Sequence, residues 1–302
     1  MLRKPYPIES IVAAVVDAVA GEVPLARIMH NVGLTMLQSL KNLEGYTAGA
    51  VDGDIGIVVD VLLDDERWIV RYLVVQAGGA LILDGRRVLI SPISFRNVDW
   101  KTRRFHLSLT MDKVKNSPSI ETDKPVSRQH ESAFSFYYDY SNYWGASGLW
   151  GAGAYPPLLA SNRRSDALAD RSHHLSDVHL RSAIEVRGYH INGADGIIGH
   201  VDDFVVDDET WEVRYLVIDT RNWWFGKKVL VDPRWASSVS WEKSQVHVDM
   251  SRKNIKNSPE WNGKTPISRE YEARLFDHYG RHAYWDIAPR KATLDNHVNK
   301  AT

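Results

Sequence analysis

Two arginines occur within apolar strand segments, where a cation needs a partner. Arg71 and Arg214 each stand in the repeated stretch Val-Arg-Tyr-Leu-Val. Because side chains alternate along a strand, each arginine lies on the face opposite the tryptophan three residues earlier. From there it can stack on an aromatic ring or reach a carboxylate such as Asp64 or Asp207. Internal pairing is the first interpretation, and an anion on a ligand or partner is the alternative.

Cations also flank one hairpin loop in both halves of the sequence. The cations and the two tryptophans of the second loop are candidate contact residues: Arg86, Arg87, Lys227, Lys228, Trp223 and Trp224. Aromatic residues beside cations at a loop tip are typical of energetic hot spots in protein interfaces. A solvated turn is the alternative for the first loop, and packing of the tryptophans on the other half is the alternative for the second. RNA and an anionic membrane surface are further candidate partners.

A Tyr-Trp pair closes each half of the sequence. The pairs are Tyr143-Trp144 and Tyr284-Trp285. Tyrosine and tryptophan supply large contact areas with a polar tip, so these pairs are a candidate aromatic surface.

Neither catalysis nor metal binding is predicted. The chain has no cysteine, which removes thiol catalysis and cysteine-ligated metals. The Asp-Asp pairs at 64–65 and 207–208 stand where turns are expected, and aspartates there bind the local backbone. His173, His174 and His179 lie in a polar stretch without a carboxylate framework for zinc. We therefore predict no enzyme activity, no catalytic residues, no metal and no cofactor.

The balance of charges bears on the partners of the protein. The 302 residues include 37 Lys and Arg against 38 Asp and Glu, a formal net charge of -1. A general nucleic-acid binder needs a basic excess that displaces counterions, so we do not expect nucleic acid as a general partner. No apolar stretch reaches the 18 residues or more of a membrane-spanning helix.

The chain repeats itself once. At an offset of 143 residues, the segment 64–74 (DDERWIVRYLV) matches 207–217 (DDETWEVRYLV). After a two-residue slip, Lys-Asn-Ser-Pro at 115–118 matches the same motif at 256–259. A period this long indicates the duplication of a whole domain. The slip marks a hairpin loop, because loops tolerate changes in length.

Each copy is predicted to be mainly β. Short alternating segments are separated by turn signals such as Asp52-Gly53, and no crossover helix intervenes. Five to six such strands favour a small antiparallel barrel, or a strongly curved sheet, since closure removes exposed edges. Ser127 and Ser268 are plausible N-caps of a short helix after each barrel.

The copies set the expected domain boundaries. Residues 36–145 form the first domain and 179–290 the second; below they are called the first and second copy. A linker at 146–178 and a flexible tail at 291–302 complete the arrangement. Residues 1–35 match neither copy. Apolar residues at helical spacing predict an amphipathic helix at 8–20, with an export signal or a start-site artefact as competing interpretations.

These residues resemble the PRC-barrel family, named after the cytoplasmic domain of the photosynthetic reaction-centre H subunit. The resemblance is carried by WIVRYLVV at 68–75 and WEVRYLVI at 211–218, and by GRRVLISP at 85–92 and GKKVLVDP at 226–233. The repeated Lys-Asn-Ser-Pro motif and Tyr-Trp pair are similar to the tail of bacterial tandem PRC-barrel proteins. The resemblance implies two small PRC-type barrels in tandem and supplies no shared catalytic residues.

The family implies adaptor-like roles, so we expect a soluble, cytoplasmic, non-enzymatic protein that binds an unknown protein partner. The two barrels are expected to pack with approximate two-fold symmetry. A second hypothesis is a role like that of the H subunit, at the inner or photosynthetic membrane, in electron transport or in gating protons near a quinone. A third is the binding of a small ligand between the barrels, and a fourth is association with RNA.

Overall fold

The computed structural model describes residues 36–78, 86–118, 126, 128–144, 148–151, 153–157, 179–220 and 227–286. The predicted N-terminal helix, most of the linker, Trp223 and Trp224 lie outside these residues. Within them, no helix is long and apolar enough to cross a membrane.

In its described residues, the first copy contains seven strands and two α-helices. They are β1 (Leu37–Ser39), β2 (Thr47–Ala50), β3 (Gly53–Asp64), β4 (Ile69–Ala77), β5 (Arg87–Ile90), β6 (Phe95–Asp99), β7 (Arg104–Leu107), α1 (Met111–Lys115) and α2 (Arg128–Tyr138). Strands β2 to β7 form one sheet in the order β5-β4-β3-β2-β7-β6, called the first sheet below.

The second copy repeats this plan. Its elements are β8 (Leu180–Ser182), α3 (Ala183–Val186), β9 (His190–Gly193), β10 (Gly196–Asp207), β11 (Val213–Asp219), β12 (Lys228–Val231), β13 (Ala236–Ser240), β14 (Gln245–Val248), α4 (Arg252–Lys256) and α5 (Arg269–Tyr279). The order β12-β11-β10-β9-β14-β13 of the second sheet matches the first strand for strand. The prediction of a mainly β protein is confirmed.

In the described residues, the two sheets differ from the predicted antiparallel barrels in strand direction and in closure. Strand β2 runs parallel to β7, and β9 runs parallel to β14. The end strands β5 and β6 do not pair with each other, nor do β12 and β13. Between them the chain makes a 3₁₀ turn at Pro92–Ser94 or Pro233–Trp235. Proline cannot donate to a ladder, so the chain turns a corner there instead of continuing the sheet.

The two copies exchange their entry strands. Strand β8 of the second copy pairs with the end of β3, and β1 of the first copy pairs with the end of β10. Each sheet therefore has seven strands, of which the other copy supplies one.

Backbone bonds between the copies run in both directions. The Val70 amide donates to the Trp211 carbonyl at 2.8 Å, and the Val213 amide donates to the Trp68 carbonyl at 2.7 Å. The Trp211 ring then packs edge-on against Phe95 of the first copy, with centroids 5.1 Å apart. The apolar interiors of the two copies thus form one continuous core.

Candidate functional site

Each copy builds a buried cluster around the arginine of its central strand. Arg71, on β4, is 1% exposed. Its Nε and Nη2 donate to Asp64 Oδ2 at 3.1 and 2.9 Å, and its Nη1 donates to the Leu149 carbonyl at 2.7 Å. Its guanidinium lies 3.5 Å from the centroid of the Tyr143 ring. Both faces of β4 are buried around Arg71, and these groups satisfy its guanidinium from three directions.

The aspartate of this pair also builds the turn that follows β3. Asp64 Oδ1 accepts the amides of Glu66 and Arg67, both at 3.1 Å. Asp207 Oδ1 accepts those of Glu209 and Thr210 in the same way. These bonds confirm the prediction of turn chemistry for the aspartate that opens each Asp-Asp pair. Burial tends to raise the pKa of Asp64, but Arg71 outweighs it and the pKa stays below its ordinary value.

A carboxylate from helix α2 extends the first cluster. Tyr143 donates its hydroxyl to Glu131 Oε1 at 2.6 Å. His179 Nε2 lies 2.8 Å from Glu131 Oε2 and 3.1 Å from the Tyr143 hydroxyl. Burial, with Glu131 adding to it, raises the pKa of Tyr143 well above its ordinary value. His179 immediately precedes β8, so the second copy supplies one member of the first copy's cluster.

The second copy has a matching cluster around Arg214. Its Nη2 lies 3.1 Å from Asp207 Oδ2, and its Nη1 lies 2.6 Å from Glu212 Oε2. Its guanidinium lies 4.2 Å from the Tyr284 ring centroid. Tyr284 and a second tyrosine, Tyr215, both donate to Glu272 Oε1, at 2.9 and 2.7 Å. Burial raises the pKa of Glu272 despite these hydrogen bonds.

Both arginines therefore bind the protein's own carboxylates, as the first interpretation proposed. Arg71 is enclosed on all sides and is not accessible to an anion in solution. Among the described residues, no group of three or more histidine and acidic side chains has the arrangement of a metal site. Each cluster joins a strand, the turn before it and the helix behind it.

The first cation beside each hairpin loop, Arg86 or Lys227, also binds groups of the protein itself. Arg86 donates to the carbonyls of Lys115 and Ser117 in the repeated Lys-Asn-Ser-Pro motif. Lys227 donates to the Ser258 carbonyl of the second motif at 2.8 Å. These bonds give the repeated motif a structural role, because they hold the chain after α1 or α4 against the sheet edge.

The second cation of each loop, Arg87 or Lys228, has different surroundings in the two copies. Lys228 is half-buried and binds Asp202 at 2.8 Å, and the side chain of Arg87 is exposed at the start of β5.

The candidate aromatic surface needs correction in the first copy. Tyr143 and Trp144 are both buried, because the chain after α2 folds over Arg71. In the second copy Tyr284 is half-buried, and only Trp285 of the four is exposed.

Sequence reasoning missed two buried acids and a histidine. Glu131 and Glu272 stand in the repeated Ser-Arg-x-x-Glu motif, which was the available signal for a shared role. The sequence indicated His179 only as a rejected zinc ligand, because its position beside Glu131 depends on the exchange of β8 between the copies.

The outer face of α2 carries one prominent apolar group. Phe136 is 90% exposed, the largest exposure among the large apolar side chains of the described residues. The neighbouring Tyr137 is half-buried beneath Lys113, whose Nζ lies 4.4 Å from the ring centroid. By the duplication, the residue of α5 that corresponds to Phe136 is Asp277, which is also exposed.

Comparison with protein families identifies part of the chain. Residues 185–255 match the PRC-barrel domain. The matched stretch runs from α3 to α4 and contains six of the seven strands of the second sheet. The seventh, β1, comes from the first copy. No curated protein matches the chain.

Proposed function

We propose that the protein is a non-enzymatic, cytoplasmic adaptor in which two PRC-type barrel units in tandem, each followed by a short helix, bind a protein partner. The match of residues 185–255 to the PRC-barrel domain supports this for the second unit. The identical strand order of the first sheet extends the argument to the first unit. The reciprocal exchange of β1 and β8 supports a packing of the two units with approximate two-fold symmetry.

The observation that carries the proposal is that both arginine clusters are filled from within. Their cations, carboxylates and tyrosine hydroxyls bind one another, and Arg71 also binds a backbone carbonyl. Buried polar networks of this kind fix a unique fold. Binding is then left to the outer surfaces, as expected of a scaffold.

Phe136 marks the surface that we propose for the partner. A phenylalanine exposed on the outer face of a helix can insert into an apolar pocket, and such aromatic anchors dominate interface energies. Asp277 shows which residue the same fold carries at the equivalent position of the other copy. The variant Phe136→Asp is therefore expected to fold normally and to change only the surface.

The test compares partner capture by the wild-type full-length chain and by Phe136→Asp, using cross-linking in cells of the source organism followed by mass spectrometry. Loss of a central aromatic anchor is expected to reduce capture of the specific partner about 30-fold, since hot spots contribute about 2 kcal/mol or more. Asp277→Asn, changed at the equivalent site of α5, is the control and should capture at the wild-type level. Turnover of a small substrate without any captured partner would overturn the proposal, and equal capture by Phe136→Asp would reject this surface.

A further inference from the structure

Four polar residues form a row across the second sheet. They lie directly opposite one another on adjacent strands, and are Gln245 on β14, His190 on β9, His200 on β10 and Asp219 on β11. Directly opposite residues of neighbouring strands project from the same face of a sheet. The register thus brings two imidazoles side by side, although His190 and His200 are ten positions apart in the sequence.

The two histidines lie on the face of the sheet that is turned away from the core. The next residue on each strand, Ile191 or Val201, is completely buried, whereas His190 is exposed and His200 is half-buried. Because side chains alternate along a strand, both imidazoles lie on the outer face. Within the described part of the chain, neither imidazole takes part in a hydrogen bond or an ion pair.

The strand pairing gives these histidines the closest spacing that two neighbouring strands allow. The Val201 amide donates to the Tyr189 carbonyl at 2.9 Å, and the His190 amide donates to the Ser244 carbonyl, on the side away from β10, at 2.9 Å. His190 and His200 therefore form a non-hydrogen-bonded pair, with Cα atoms about 4.5 Å apart. The Cβ atoms of such a pair are about 4.5–5.5 Å apart.

This spacing suits the chelation of one metal ion by two imidazoles. Bonds of about 2.0–2.1 Å at a tetrahedral angle put the two ligating nitrogens about 3.3 Å apart. Two rings that rise from neighbouring Cβ atoms can reach this separation. Imidazole is a preferred ligand of Zn²⁺, Cu²⁺ and Ni²⁺, whereas Mg²⁺ and Ca²⁺ prefer oxygen. The pair therefore selects a transition-metal ion.

The acids near the pair do not add a third ligand. Asp219 is completely buried. Asp202, two residues after His200 on β10, is held by Lys41 and Lys228 at 2.6 and 2.8 Å. No three histidine and acidic side chains in the described residues have the arrangement of a metal site. The protein thus supplies two ligands, and water completes the coordination.

The first copy has the equivalent row without any such ligand. Its members are again directly opposite one another on the four corresponding strands, and are Arg104, Thr47, Ile57 and Gln76. None of these four side chains has an imidazole or a carboxylate. The fold therefore does not require histidine at either position, and the pair is a property of the second copy alone.

We propose that His190 and His200 bind one divalent transition-metal ion, of the class Cu²⁺, Ni²⁺ and Zn²⁺, on the outer face of the second sheet. The ion joins β9 to β10 and keeps open coordination positions toward the solvent. Because a ligating imidazole must be unprotonated, binding weakens in acid. The site does not depend on the partner surface proposed at Phe136.

Calorimetric titration of the full-length chain, free of any affinity tag, with Cu²⁺ alone at pH 7.5 tests this. Cu²⁺ is the most tightly bound ion of the class at a given site. His190→Gln and His200→Gln should each lower the affinity at least tenfold, because the loss of a group that only supports a ligand already costs about 10–100-fold. The wild type at pH 5 should show a similar loss.

Two controls separate this pair from the other histidines. His106→Gln changes a half-buried histidine of β7, whose strand neighbour Gly49 supplies no ligand, and should bind Cu²⁺ like the wild type. His173→Gln with His174→Gln removes two adjacent histidines and should also leave the affinity unchanged. Urea unfolding of each variant checks that the fold is retained. Wild-type affinity in both His190→Gln and His200→Gln, or a loss confined to the His173 and His174 variant, would overturn the proposal.

Discussion

Replacing Arg71 with methionine is expected to lower the free energy of unfolding by about 3–5 kcal/mol, because it leaves the Asp64 carboxylate buried without its cation. Both side chains of this pair are 1% exposed, so water cannot replace the lost partner. Methionine keeps most of the aliphatic volume of arginine, so the cost reports the lost charge and hydrogen bonds. Urea denaturation at pH 7, followed by tryptophan fluorescence, measures the change.

The double variant Asp64→Asn with Arg71→Met tests the cause of this loss. Asparagine retains an oxygen for the amides of Glu66 and Arg67, but carries no charge. The double variant should therefore recover a substantial part of the stability lost in Arg71→Met. Arg87→Met, at an exposed position of β5, is the matched control and should stay within about 0.5 kcal/mol of the wild type. If Arg71→Met also changed the free energy of unfolding by no more than about 0.5 kcal/mol, the buried ion pair between Arg71 and Asp64 would be contradicted.

The second large effect is expected from the exchanged strand β8. Leu180 is 1% exposed and lies in the shared core, so Leu180→Ala should cost about 2–5 kcal/mol. Its counterpart on β1, Leu37, is only partly buried, and Leu37→Ala should cost less. Because each sheet contains a strand of the other copy, both variants should still unfold in one transition.

Calorimetry distinguishes this outcome from independent copies. A single transition whose calorimetric and van't Hoff enthalpies agree is expected for the wild type and both alanine variants. Two separated transitions, with only one shifted by Leu180→Ala, would show that the strands do not join the copies into one cooperative unit.

The mainly β fold of each copy could be predicted because the duplication shows the same strand and turn patterns twice. The structure gives Arg71 a carboxylate partner at the turn that the Asp-Asp pair predicted. Trp68, which alternation placed on the strand opposite Arg71, instead lies in the turn before β4 with a left-handed backbone conformation, φ 55°. The parallel pairing of β2 with β7 was missed, since strand alternation carries no information on direction.

The exchange of strands could not be predicted for a different reason. Leu37–Ser39 and Leu180–Ser182 have the same pattern, so each fits the receiving strand of either copy, and three residues are too few to choose between them. The choice depends on the path of the whole chain. For the same reason the polar sequence around His179 does not reveal that this side chain lies against Glu131 in the core.

Disulfide trapping tests the exchange most directly, and the absence of native cysteines makes the chain a clean background. Gln38 lies opposite Val206 in the exchanged register, so the pair Gln38→Cys and Val206→Cys should form an intramolecular disulfide on mild oxidation. Leu63 is the position that Gln38 would face if β1 stayed with its own copy. We expect a cross-linked monomer for the first pair and none for Gln38→Cys with Leu63→Cys, and the reverse result would contradict the exchange of β1.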